Sequence, residues 1–117
     1  MPKVFVTQEP VPRWNAARTQ LLNPVDISPA RAYGDLQIMF PPAHNLSVLS
    51  VPLVAQARTL LKDFTDDDYI LAIGNPVMMA VVCAIAAELN NGRFRVLVWD
   101  KRDRNYIEYR VNTRGTP

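Results

Sequence analysis

A chain of 117 residues, 49% hydrophobic and 21% charged, fits one domain that hides roughly two-thirds of its unfolded surface, and it is too hydrophobic to stay disordered. The lone cysteine, Cys83, excludes an intramolecular disulfide framework, and the absence of a signal-peptide run and of any apolar stretch beyond Val77 to Ala87, about 17 Å as a helix, predicts an intracellular protein without a membrane span. The net charge of +2 is unevenly placed: residues 1–92 carry six basic and eight acidic side chains, residues 93–117 seven basic and three acidic, so a segment at +4 follows a body at −2.

Lys3 to Gln8 alternates as a short strand. From Glu9 to Gly34 regularity stops, because Pro10, Pro12, Pro24 and Pro29 interrupt it; a proline-rich irregular arm is expected, with a helical turn at Trp14 to Leu22. An ordered arm of this length should cover something. Within ISPARAYGD, Ser28 as cap, Pro29 at the first helical position and Gly34 as terminator predict a brief helix.

The next strand, Asp35 to Phe40, is stopped by Pro41-Pro42. Ser50 and Pro52 open a helix whose Leu53, Val54, Ala57, Leu60, Leu61 and Phe64 recur at spacings of three and four, forming one apolar face. Tyr69 to Ile73 is apolar throughout, as expected of a strand buried on both faces of a parallel sheet. Asn75 as cap, Pro76 as first residue and Gly92 as terminator place the second helix at about 76 to 90. Its Val77, Met78, Met79, Val81, Val82, Ile85 and Leu89 point almost all round, and only Glu88 is charged. Exposing three such side chains would cost several kcal/mol, at roughly 1.5–3 kcal/mol each, against a domain stability of about 5–15 kcal/mol. A covering arm, a homo-oligomer or both are therefore expected.

Arg93 to Trp99 and Tyr106 to Val111 form a hairpin around the loop from Asp100 to Asn105. Phe94, Val96, Val98, Ile107, Tyr109 and Val111 are assigned to its core face, and Arg95, Trp99, Tyr106, Glu108 and Arg110 to its outer face. The order β-β-α-β-α-β-β predicts a single α/β domain over residues 1–117: a small two-layer or three-layer Rossmann-like sheet with a parallel centre, a C-terminal β-hairpin and residues 9–34 as the arm.

Parallel strands share a carboxyl edge, where ligands of open α/β sheets bind. Three segments should meet there: Pro41 to Asn45 with His44, the Gly74-Asn75-Pro76 corner, and the 100–105 loop. An anion at the corner would use Gly74, Asn75 and Val77 at the helix start, with Lys101 and Arg102 adding charge. No glycine-rich phosphate motif is present, so a tight capped turn is the plainer reading. His44 is the general-base candidate, with Asp100 or Glu9 as its partner, should the protein be an enzyme. The run Asp66-Asp67-Asp68 falls at the amino edge and reads as a charged turn, and Cys83 reads as packing; neither a metal nor a cofactor is expected.

Arg95, Trp99, Lys101, Arg102, Arg104, Tyr106 and Arg110 combine rings with cations, as sequence-tolerant nucleic-acid binders do. Asp100 and Asp103 reduce the loop charge to +1, so one protomer should bind weakly and useful affinity should need several copies.

The pieces PKVFVTQEP, DISPARAYGDLQIMF, DDDYILAIGNP and VLVWDKRDRNYI resemble small uncharacterised proteins encoded by tailed bacteriophages. The resemblance brings no activity with it and implies a viral product acting in the cytoplasm of the host bacterium. The first expectation is a non-enzymatic, oligomeric accessory protein that engages nucleic acid or a nucleoprotein machine through the basic hairpin and carboxyl edge. The alternatives are a small enzyme or sensor holding a phosphorylated metabolite or nucleotide at the corner, and an inhibitor that docks on a host protein through its apolar helix or arm.

Overall fold

A computed structural model describes residues 2–10, 13–22, 26–41 and 51–115. They contain a five-stranded sheet built from β1 (Lys3–Gln8), β4 (Asp35–Phe40), β5 (Tyr69–Leu71), β6 (Arg93–Asp100) and β7 (Asn105–Asn112), in the order β4-β1-β5-β6-β7. Two helices, α1 (Val51–Leu60) and α2 (Pro76–Leu89), complete the α/β fold. β1 pairs in parallel with β4 and with β5, β5 pairs in parallel with β6, and β7 returns antiparallel to β6. The expected parallel centre and C-terminal hairpin are thus present, with β1 inserted between β4 and β5 as a fourth parallel strand.

Strand direction and a single crossover hand explain where the connections lie. The steps from β4 to β5 through α1 and from β5 to β6 through α2 run the same way across the sheet, so both helices settle on one face. There Phe5, Phe40 and Ile70 pack against Leu53, Ala57 and Leu61 of the α1 segment and Met78, Val82, Ile85 and Ala86 of α2. The step from β1 to β4 runs the opposite way, and its connection covers the opposite face. A 3-10 helix, Ser28–Ala32, places Ala30 in a second buried cluster with Val4, Val6, Leu71, Leu97 and Tyr106.

The arm differs from its expectation in two places. Instead of a helical turn at 14–22 it holds a short antiparallel ladder of β2 (Arg13–Trp14) and β3 (Leu21–Leu22). Asn15 closes the turn, its Oδ1 accepting the Thr19 N–H at 3.0 Å and the Gln20 N–H at 3.4 Å, which is the local bonding by which asparagine competes with helix. In the 3-10 helix Ser28 is inside rather than capping: Ile27 holds the cap position and Asp26 Oδ1 accepts the Ser28 N–H at 2.9 Å.

The hairpin faces are also exchanged towards its tip. Leu97 and Tyr106, on the face expected to be outward, are buried under the 3-10 helix, whereas Val98, Ile107 and Tyr109 on the expected core face are exposed. Apolar residues occupy both faces of β6, so alternation alone cannot choose; the cover decides, and α2 reaches β6 at Phe94 but not the tip. α2 itself buries Met78, Val82, Ile85 and Ala86 between the sheet and α1, leaving a stripe of Val77, Ala80, Ala84 and Glu88 in solvent together with Leu89 at its end. The alanines keep that stripe narrow, and the 3-10 part of the arm lies on the other side of the sheet.

Candidate functional site

The carboxyl ends of β4, β1, β5 and β6 align at one edge. His44 lies outside the described residues. At the centre of this edge stand Thr7 and Gln8, two polar residues buried at the end of β1. Thr7 Oγ1 accepts the Ile73 N–H at 2.9 Å and donates to the Ile73 carbonyl. Gln8 spans the gap between two segments: its Oε1 accepts the Asn75 N–H at 2.9 Å and its Nε2 donates to the Pro41 carbonyl at 3.2 Å. The Glu9 N–H donates to the Phe40 carbonyl at 3.0 Å, closing the β1–β4 side.

The Gly74-Asn75-Pro76 corner is docked onto this pair. Gly74 has φ +97°, and a Cβ there would overlap the Gln8 side chain, so glycine is required both by conformation and by close approach. Asn75 caps α2, its Oδ1 accepting the Val77 N–H at 2.8 Å. Of Gly74, Asn75 and Val77, the residues assigned to an anion there, the Asn75 and Val77 N–H groups are engaged within the chain, and Pro76 between them has no N–H to add. Thr7 and Gln8 escaped the sequence reading; the signal available was two polar residues ending an otherwise buried strand.

One strand away, the hairpin continues past Leu97, the partner of Leu71, by three residues to Asp100, about 10 Å beyond the end of β5. Asp100 Oδ1 accepts the Arg102 N–H at 2.9 Å and Arg104 adopts φ +52°, which together shape the turn. The Lys101, Arg102 and Arg104 side chains are exposed, and among the described residues no carboxylate pairs with them. Beside them is a shallow hollow of about 270 Å³ lined by Val98, Trp99, Asp100, Arg102, Ile107 and Tyr109.

Each of the other residues of the basic set has a partner within the chain. Arg95 lies 4.0 Å over the Tyr69 ring with a guanidinium nitrogen 3.9 Å from Glu108, and its Nε is buried without an acceptor. Arg110 donates to the same Glu108 carboxylate at 2.7 Å, while its side chain stays 80% exposed. Tyr106 is buried, its carbonyl accepts the Tyr33 hydroxyl at 2.9 Å, and burial pushes its own hydroxyl pKa up. Trp99 meets the Tyr106 ring edge-on at 5.1 Å and remains partly exposed. Tyr109, assigned to the core in the sequence reading, is the more accessible ring at 54%.

At the opposite, amino edge the aspartates act as fasteners. Asp68 is buried and accepts from the Lys3 and Thr65 N–H groups, each at 2.9 Å. Asp66 pairs with Arg93 at 3.1 Å and accepts from Asn90, bonds that hold its carboxyl below the usual range. Among the described residues no group of three or more histidine, cysteine or acidic side chains is arranged to hold a metal. Cys83 is partly buried in α2, and burial pushes its thiol pKa up. Among the described residues no helix is long and apolar enough to cross a membrane.

A family model described as "Phage Pam3 gp32-like protein" matches residues 2–113, nearly the whole chain, and the protein belongs to that family. No curated protein and no solved structure matches the chain significantly.

Proposed function

We propose that this phage protein is a non-enzymatic accessory protein of the host cytoplasm that holds the phosphate backbone of nucleic acid, alone or within a nucleoprotein assembly, against its hairpin tip. The observation that carries the reading is the set of unpaired cations at the tip, Lys101, Arg102 and Arg104, standing past the sheet beside a hollow with two accessible rings, Trp99 and Tyr109. Cations attract the backbone without regard to sequence, and a partly exposed ring offers a base a face to stack on. Arg95 and Arg110 contribute less than their charge suggests, because Glu108 lies between them. The corner, with its identified donors engaged by Gln8 and Asn75, ranks below the tip as a seat for a free phosphate.

Asp100 and Asp103 keep the loop at +1, so a single copy binds weakly and the protein works as an oligomer. Fluorescence anisotropy with labelled single-stranded oligonucleotides at low salt tests this. Three phosphate contacts per copy give a slope of log affinity against log salt near −2 for each copy engaged. Replacing Lys101, Arg102 and Arg104 together with alanine should abolish binding without altering the thermal midpoint. Absence of binding by the unaltered protein at low salt would overturn the reading.

A further inference from the structure

The two edges of the sheet are unequal. β4 is six residues long, starts at Asp35 and runs into Pro41. β7 has eight residues, no proline, and an unbroken register with β6 from Arg93↔Asn112 to Asp100↔Asn105, so no bulge turns it away. Proteins that keep an edge strand solitary blunt it with prolines, bulges or charges facing a would-be neighbour. On β7 the charges are Glu108 and Arg110, opposite in sign and two residues apart, hence on the same face.

We infer that β7 is where two copies of this chain join, antiparallel about a two-fold axis at Tyr109, forming one continuous ten-stranded sheet. The spacing of the charges selects that register. Centred on Tyr109, Glu108 of each copy faces Arg110 of the other, Ile107 faces Val111, and Tyr106 to Asn112 is paired throughout. Centring on Glu108 sets that carboxylate against itself, and centring on Arg110 sets the two guanidiniums together. Opposed unlike charges stabilise an antiparallel pair and like charges oppose it. Arg110 is exposed enough to reach across. The helix-side face of the hairpin, where Val98, Ile107 and Tyr109 are uncovered, would then meet its symmetry copy, and the two hollows beside the tips would lie on either side of the axis. An isologous contact of this kind closes after two copies.

The inference rests on the proposed function only in supplying the oligomer that function calls for. Sedimentation analysis of the full chain tests it. The unaltered protein should be a dimer, and Arg110→Lys should leave it one. Arg110→Glu, which turns both cross-strand pairs into carboxylate pairs, should raise the dimer dissociation constant by about tenfold or more. Glu108→Arg should do the same, and an equimolar mixture of these two variants should recover a dimer, because each mixed pair again opposes arginine to glutamate. Circular dichroism checks that each variant is folded; if Glu108→Arg unfolds beside Arg95, the contrast between Arg110→Glu and Arg110→Lys decides. A monomeric unaltered protein, a dimer indifferent to Arg110→Glu, or folded variants whose mixture stays monomeric would each overturn the interface. Oligonucleotide binding is read separately: binding by a monomer removes the interface alone, and a β7-paired dimer that binds no oligonucleotide removes the proposed function alone.

Discussion

The corner before α2 and the tip of the β6–β7 hairpin share one edge of the sheet and are put together by opposite means. At the corner polar groups turn inward: Thr7 and Gln8 take up the N–H groups of Ile73 and Asn75, and Asn75 takes up that of Val77. At the tip they turn outward, with one bond from the Arg102 N–H to the Asp100 carboxylate shaping a loop whose lysine and arginines face water. A capped helix start and a basic loop look equally suited to an anion in sequence, yet a donor satisfied inside the fold offers little to a ligand, while an unpaired cation offers its whole field.

That contrast makes stability and binding separable. Gly74→Ala should be the most damaging change: the left-handed conformation and the overlap with Gln8 together should cost about 2–5 kcal/mol in urea unfolding. Where the variant is still folded, its oligonucleotide binding should be unchanged; loss of binding in a folded Gly74→Ala protein would make the corner part of the site. Asn75→Ala should cost about 1 kcal/mol, the usual worth of an N-cap, again at no cost to binding. Acid should have the mildest effect. The Asp66 and Glu88 carboxyls are held below their ordinary values, Asp66 by hydrogen bonds from Arg93 and Asn90 and Glu88 by one from Arg58. Their contribution is therefore complete above the ordinary carboxylate range and fades as pH falls through the lowered values. Both pairs are exposed, so the decline in thermal midpoint on acidification should be slight and smaller still in high salt.

Much of the architecture was legible because local chemistry and the final fold agree. Pro41 ends a strand, Asn75-Pro76 opens a helix, and the apolar run from Tyr69 belongs to a strand covered on both sides. Legibility failed where the deciding partner was distant in sequence. Whether Val98 or Leu97 faces the core depends on the 3-10 helix some seventy residues earlier, and the inward turn of the corner depends on Gln8. α2 read as apolar on all sides, but α1 shields one flank and alanines occupy much of the outer one. Of the basic set only Lys101, Arg102 and Arg104 remain wholly available, since pattern alone could not reveal that Glu108 would hold both Arg95 and Arg110.

The location of β1 bears on how the molecule comes into being. This strand precedes the other four of the sheet in sequence, yet it lies inside the sheet between β4 and β5, and β5 is 65 residues away along the chain, as in the bond from the Lys3 N–H to Asp68. Its partner β4 follows about thirty residues later and can pair with it early, but its other side stays an open, apolar edge until β5 has been made, so the two halves of the sheet are joined only by a long-range contact and that step should be the slow one.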